Sequence, residues 1–232
     1  MRRTITGLSI ASGLILVLCS SISAQTVVIN HTNRGWYDDT GSSLPNNLSY
    51  AVGDYRGGGC VPCVGDMRNF IVFDLSGVSQ PIVSAKIAGF IPGPTGYQSG
   101  DPSENLELHD VITPIATLIN GAGGLAAHAD LGSGVVYGSR TMTNADEGSV
   151  VEIELNAAAI AALNSSHGLF GIGGSITTLD SLPNAEFTFG NGRGDITELR
   201  LTLVPEPGCL ALAIFGAMIF GVSRSRTRYS AK

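Results

Sequence analysis

The most reactive side chains in this sequence are two cysteines, Cys60 and Cys63, which form a Cys-x-Pro-Cys motif within a glycine-rich stretch. Two thiols at this spacing can form a local disulfide, act in redox chemistry or bind zinc. A redox-active pair places its first thiolate at a helix N-terminus, whereas the residues after Cys63 predict a strand. No second cysteine pair or nearby histidine completes a set of four zinc ligands. We therefore predict a disulfide that stiffens this loop, with redox activity and zinc binding as the alternatives.

The histidines and carboxylates do not match a catalytic motif. The histidines have neither HxH nor HExxH spacing and lie at His31, His109, His128 and His167. Glu152 and Glu154 share one face of a predicted strand, about 7 Å apart. Glycosidases use two carboxyl groups at a similar separation, but on opposite sides of a bond held in a cleft. Because GxSxG, GxGxxG and P-loop motifs are also absent from the sequence, we predict that the protein is not an enzyme.

Loop residues provide two further kinds of candidate ligand. Five aspartates in predicted loops could donate oxygens to calcium, although their spacing is not that of an EF-hand: Asp38, Asp39, Asp54, Asp66 and Asp101. Hydrated loop aspartates without a metal are the expected state. We predict no cofactor and no metal site, and calcium is the alternative. Trp36, Tyr55 and Tyr97 fall in predicted loops, where a flat ring could pack on the apolar face of a sugar. These three are the candidate glycan contacts, and a core position is the alternative for Trp36.

Alternation of apolar and polar residues predicts strands that have one buried and one solvated face. The clearest strands are 151–155 and 198–203, and others are predicted at 26–30, 83–87, 106–109, 135–137, 169–172 and 186–189. Residues 70–75 are almost continuously apolar, which predicts a central strand that is covered on both sides. Two short helices are predicted. One has Thr113 as its cap and Pro114 at its first position, and the other covers Ala157–Leu163 after Asn156.

These elements predict an all-β fold. Many short strands with Gly-, Pro- and Asn-rich connections favour a β-sandwich, with a jelly-roll-like topology as its most typical form. The 31 glycines among 232 residues agree with a chain that makes many turns. A βαβ fold would require regular helices between the strands, and the sequence lacks them.

The N-terminus, residues 1–24, has the pattern of a secretory signal peptide. Arg2 and Arg3 precede an apolar run from Leu8 to Cys19, and small residues up to Ala24 provide a cleavage site. Six of the 13 basic residues lie in the two tails, so the predicted body, residues 25–203, has a net charge of about −11. Nucleic acid would repel such a body, and we predict no nucleic-acid partner.

The C-terminus, residues 204–232, combines a proline linker, an apolar segment and a basic end. Pro205 and Pro207 stop the preceding strand. The apolar segment, residues 209–222, predicts a membrane helix of about 21 Å, which is shorter than a hydrocarbon layer of about 30 Å. Three arginines follow and would remain in the cytoplasm, which leaves the body outside it: Arg224, Arg226 and Arg228.

In order and spacing this tail resembles the PEP-CTERM sorting signal of Gram-negative bacteria, with Pro205, Glu206 and Pro207 as the signature and the arginines as its basic end. The resemblance implies a transient stay in the inner membrane and cleavage by an exosortase-type transpeptidase. It also implies transfer to the cell surface or to an extracellular exopolysaccharide matrix. A simple single-pass membrane anchor is the alternative.

The predicted body also carries a resemblance. Residues 68–77 and 83–87 look like a strand pair of exported PEP-CTERM proteins and of DNRLRE-like carbohydrate-binding modules. This resemblance implies a β-sandwich with a non-catalytic structural or interaction role, associated with exopolysaccharide. The alternative is a carbohydrate-binding module whose defined glycan site lies on the loops of Trp36, Tyr55 and Tyr97.

Overall fold

The computed structural model describes residues 24–45, 49–55, 65–180, 185–189 and 196–204. Within these ranges the chain is mostly β, with eleven strands, three short α-helices and one 3-10 turn, Asn144–Asp146. The strands are β1 (Gln25–Asp38), β2 (Val52–Asp54), β3 (Asp66–Asp74), β4 (Ile82–Ile91), β5 (Tyr97–Gln98), β6 (Glu104–His109), β7 (Val136–Met142), β8 (Ser149–Glu154), β9 (Leu169–Ile176), β10 (Glu186–Thr188) and β11 (Thr197–Leu203). The helices are α1 (Ile115–Ile119), α2 (Gly124–Leu131) and α3 (Ala157–Ser165). The prediction of a mostly β chain is confirmed.

The eleven strands of the described ranges pair antiparallel in one continuous network, which divides at β1 into two sheets. In the first sheet, the first half of β1 pairs with β11, β11 pairs with β4, and β4 pairs with β8. In the second sheet, the other half of β1 pairs with β3, and the pairing continues through β9 and β6 to β7. The register of β1 shifts between His31 and Asn33, where the strand passes from one sheet to the other.

The first half of β3 leads to a small edge of the second sheet. Met67 and Asp66 pair with β2, whose residues pair in turn with β10. β10 also pairs with β5, so that Thr188 lies opposite Tyr97. These three short strands contain only eight residues in total. They bring together segments that are far apart in the sequence.

Side chains from both sheets form the largest apolar cluster, which we call the main core. The alternation predicted at 198–203 is present in β11, where Leu199, Leu201 and Leu203 are buried and the intervening residues are partly exposed. Ile71 and Phe73 of β3 join the same cluster. The period of two therefore turns the apolar half of each strand towards one shared interior.

The opposite face of β3 packs against helices. Phe70 and Val72 contact a second cluster, the helix-side core, which also contains Tyr37, Leu118, Ala127 and Leu131. The Tyr37 hydroxyl donates to the carbonyl oxygen of Leu118 at 3.0 Å and accepts from the backbone N–H of Gly123 at 3.3 Å. The prediction that β3 is covered on both sides is confirmed.

Two of the three helices were predicted from the sequence. In α3 the Asn156 side chain accepts hydrogen bonds from the N–H groups of Ala158 and Ala159, as expected of an N-cap. Thr113 does not cap α1, because the helix begins at Ile115 after Pro114 as its N-cap, and no side chain caps it. The prediction of only two helices was wrong, since α2 was missed. It begins at Gly124 and has no capping side chain, so the usual sequence signal of a helix start is absent.

None of the helices in the described ranges has the length and apolar character needed to cross a membrane. The predicted signal peptide and the predicted membrane helix at 209–222 both lie outside the described residues.

Alanine substitutions on the two faces of β3 test its double coverage. We expect Phe73→Ala and Phe70→Ala each to lower the free energy of unfolding by about 3–5 kcal/mol, because each ring is fully buried in a different cluster. Val28→Ala, at a valine that is 51% exposed, is the control and should cost little. The measurement is denaturant unfolding followed by circular dichroism. A small cost for Phe70→Ala alone would mean that the helices do not cover this face.

Candidate metal centre

Several predicted sites lie outside the described residues. They include Cys60 and Cys63, Pro205, Glu206 and Pro207, and the arginines Arg224, Arg226 and Arg228. The disulfide and the sorting signal therefore stay predictions.

The predicted aromatic site is not arranged as the sequence suggested. Trp36 lies in β1 and Tyr97 in β5, so their placement in loops was wrong. Their side chains are only 2% and 6% exposed. Tyr55 directly follows β2, is partly buried, and its ring centroid lies 4.5 Å from that of Phe187. Two of the three rings are thus used for packing, and Tyr55 alone keeps a partly accessible surface. The glycan contact itself stays a prediction.

The two glutamates with glycosidase-like spacing belong to an ion-paired strand surface. Glu152 accepts a hydrogen bond from the Lys86 ammonium at 2.8 Å and another from the Arg200 guanidinium. Glu154 lies 3.1 Å from the same ammonium. The hydrogen bond from Lys86 is the main reason why the pKa of Glu152 is lowered, so this carboxyl is held as an anion. A carboxyl that acts as a general acid needs a raised pKa, so that it still carries its proton near neutral pH.

His109 is the histidine with the most suggestive neighbours. Its Nε2 atom lies 3.3 Å from the Ser175 hydroxyl and 3.7 Å from a Glu107 carboxylate oxygen, while its buried Nδ1 atom has no hydrogen-bond partner. A nucleophilic relay uses the two ring nitrogens separately, one for the nucleophile and one for the carboxylate. Here both neighbours share one nitrogen. The imidazole and the hydroxyl are also buried, so this group packs the sheet and does not form a relay.

Three carboxylates that are distant in sequence meet beside β5 and β10. Asp101 lies in the loop after β5, Asp180 follows β9, and Glu186 is the first residue of β10. One oxygen from each lies within 4.8 Å of the others. Asp101 and Asp180 reach solvent, whereas Glu186 is 1% exposed. We call this group the acidic cluster.

Glu104, at the start of β6, adds a further buried charge beside the acidic cluster. It is 1% exposed and accepts hydrogen bonds from the Ser99 hydroxyl at 2.6 Å and from the Thr178 hydroxyl. Burial raises the pKa of Tyr97, and the charge of Glu104 raises it further. The Glu104 carboxyl therefore lies close to the Tyr97 phenol.

Three buried oxygen atoms at this edge have no hydrogen-bond partner. They are Glu186 Oε1, Thr188 Oγ1 and the Tyr97 hydroxyl. Glu186 and Thr188 are two residues apart on β10 and so point to the same face, and Tyr97 is the strand partner of Thr188. A buried polar atom without a partner is costly, and a carboxylate oxygen more so. The edge therefore has unused capacity to bind a cation or a donor.

Burial is the main reason why the pKa of Glu186 is raised, and a side-chain hydrogen bond with Asp180 and the charges of Asp180 and Glu104 raise it further. The backbone N–H of Asp180 opposes this shift by donating to Glu186 Oε2 at 3.2 Å. The local field is strongly negative, and the chemical groups are all oxygens. Such a set can hold a hard cation, and it contains no nitrogen or sulfur ligand that would favour zinc.

The sequence indicated only one member of the acidic cluster. Asp101 was among the five loop aspartates considered for calcium, whereas Asp180, Glu186 and Glu104 were not considered for it. Of those five, Asp66 instead forms an ion pair with Arg68 at 3.2 Å, and its carboxylate lies 3.4 Å from His128 Nε2. The Asp38 side chain accepts from the N–H groups of Thr40 and Ser42 and closes a turn. No spacing rule connects Asp101 to Glu186, because only strand pairing brings them together.

No protein-family model matches this chain, and no curated protein is similar to it.

The buried His109 predicts a loss of stability in mild acid. Burial lowers its pKa and Arg68 adds to this, although Glu107 and Asp110 oppose the shift. The unfolded chain therefore binds the proton first, at about pH 6.5. We expect stability to be complete above this pH and to fall as the pH decreases towards the folded-state pKa of His109. His31, whose pKa is also lowered by burial, adds to the same trend.

Thermal unfolding between pH 7.5 and 5.5 measures this effect. His109→Gln should make the midpoint less sensitive to pH in this interval, whereas the same change at the exposed His167 should leave the sensitivity as it is. An unchanged pH profile in His109→Gln would contradict the assignment.

Proposed function

We propose that this is an exported, non-catalytic protein of the cell surface or extracellular matrix, with a structural or interaction role among exopolysaccharides. The observation that carries the proposal is the C-terminal order of Pro205-Glu206-Pro207, an apolar segment and an arginine-rich end. The predicted signal peptide at the other end fits the same route. The implied partners are an exosortase-type transpeptidase and, for a short time, the inner membrane.

The body between the tails is suited to an extracellular protein that has no chemical step. Because side chains of both sheets enter the main core, we propose that the sheets form a β-sandwich with a jelly-roll-like topology. Glu152 and Glu154 form ion pairs with Lys86, and His109 and His128 are buried. The acidic surface charge keeps the body soluble and away from anionic partners.

Intact mass and cell fractionation of the protein from its native host test this proposal. We expect a product that has lost both tails, is found outside the inner membrane, and lacks two hydrogens because Cys60 and Cys63 are joined. Glu206→Ala should leave an uncleaved precursor in the inner membrane, whereas Glu154→Ala, at an exposed glutamate of β8, should be processed normally. A membrane-bound product with an intact C-terminus would support a simple anchor and contradict the sorting signal. Full-length protein in the cytosol would contradict export.

A carbohydrate-binding module is the second candidate, and Tyr55 is the residue that favours it. Its ring is partly exposed and is supported from one side by Phe187. A ring held in this way can pack against a sugar. If the module is correct, glycan-array binding should be lost in Tyr55→Ala and kept in Tyr55→Phe, which retains the ring. The absence of any saturable glycan binding would favour the structural role.

A further inference from the structure

We propose that Asp101, Asp180 and Glu186 form a calcium site that joins the loop after β5, the end of β9 and the start of β10. Their oxygens lie within 4.8 Å of one another. Two oxygens that bind one calcium ion at about 2.3–2.6 Å can be up to about 5 Å apart. The three carboxylates therefore already stand at a separation that one ion can bridge.

The buried oxygen of Glu186 is the second observation that points to an ion. This residue is 1% exposed, and its Oε1 atom has no hydrogen-bond partner. In the described part of the chain, no salt bridge reaches Asp101, Glu104 or Glu186. A buried carboxylate is stable when a positive charge or several donors compensate it. A cation between the three carboxylates supplies that charge.

The surroundings of the acidic cluster favour calcium over other metals. Every candidate ligand is an oxygen, which excludes a preference for soft metals. Calcium takes six to eight oxygens in variable geometry, and carboxylates can bind it with one or both oxygens. Magnesium requires a regular octahedron and usually keeps several waters. Glu104, held by Ser99 and Thr178, adds negative charge beside the three proposed ligands.

The proposed ion would stabilise the least anchored part of the second sheet. β5 and β10 are two and three residues long, and each is joined to the sheet by few strand pairs. An ion shared by Asp101 and Glu186 links the loop after β5 to β10. Asp180 ties the end of β9 to the same point, and β9 is paired along its length with β3.

Calcium titration of the full-length chain, purified in detergent and freed of metal with EDTA, tests the site. We expect calorimetric binding with a Kd of about 10⁻⁴–10⁻³ M, the range of extracellular calcium modules. The unfolding temperature should rise by about 3–6 °C at ten times that concentration. A tenfold excess of magnesium should leave the shift in place. This measurement is independent of the proposed export, so its outcome and that of the localisation experiment can be told apart.

Two substitutions with one matched control separate a calcium site from a structural carboxyl pair. Asp180→Asn and Glu186→Gln should each weaken binding at least tenfold and remove most of the calcium-induced shift. Glu186→Gln should also unfold at an equal or higher temperature than the wild type in EDTA, because it removes a buried charge. Glu154→Gln removes the same charge from a side chain that is 72% exposed and should keep the shift.

The proposal is overturned if calcium does not change the unfolding temperature of the wild type. The carboxyl groups would then share protons with one another or be hydrated, without a bound ion. It is also overturned if Asp180→Asn and Glu186→Gln both keep the calcium-induced rise in unfolding temperature, or if a tenfold excess of magnesium abolishes that rise. Should Glu186→Gln fail to fold, Asp180→Asn decides the question, since Asp180 is exposed and its amide preserves the shape of the side chain.

Discussion

The burial of β3 on both faces is the constraint that organises the described part of this chain. Its alternate residues enter two different apolar clusters, so one strand requires a sheet on one side and helices on the other. Arg68 extends this arrangement, because its guanidinium donates to the carbonyl oxygens of His128 and Ala129 at the end of α2. Partners that satisfy the last carbonyls of a helix fix its position as well as its length. The helices are therefore tied to the strand that they cover.

β3 also determines where the polar edge of the second sheet can form. Its first residues pair with β2, and from there the short strands β10 and β5 continue outward. On these strands Glu186, Thr188 and Tyr97 are buried, and each has a side-chain oxygen without a hydrogen-bond partner. This burial of polar atoms differs from the main core, where the buried side chains are apolar. A bound cation would stabilise the buried carboxylate, since it compensates a charge that is costly to bury.

The sequence predicted the regular parts of the fold and missed what depends on distant contacts. Strict alternation identified β8 and β11, and the continuous apolar run identified β3, because burial follows local periodicity there. Asn156 gave a correct helix start, whereas the glycines before α2 gave none. The strand predicted at 26–30 ended before Trp36, yet pairing with β3 continues β1 to Asp38. Tertiary pairing overrides such weak local preferences.

The acidic cluster was beyond sequence reasoning for a similar reason. Asp101 and Glu186 become neighbours only through the pairing of β5 with β10, and a pair of two- and three-residue strands leaves little periodic signal. The alternating pattern of residues 186–189 also predicts that Glu186 faces solvent.

The central physical claim is that a cation compensates the buried carboxylates at this edge. A crystal structure of the protein grown with calcium, with an anomalous difference map, tests it most directly. The account predicts one peak about 2.3–2.6 Å from carboxylate oxygens of Asp101, Asp180 and Glu186. A map of well-ordered Asp101, Asp180 and Glu186 side chains without a peak between them would contradict it.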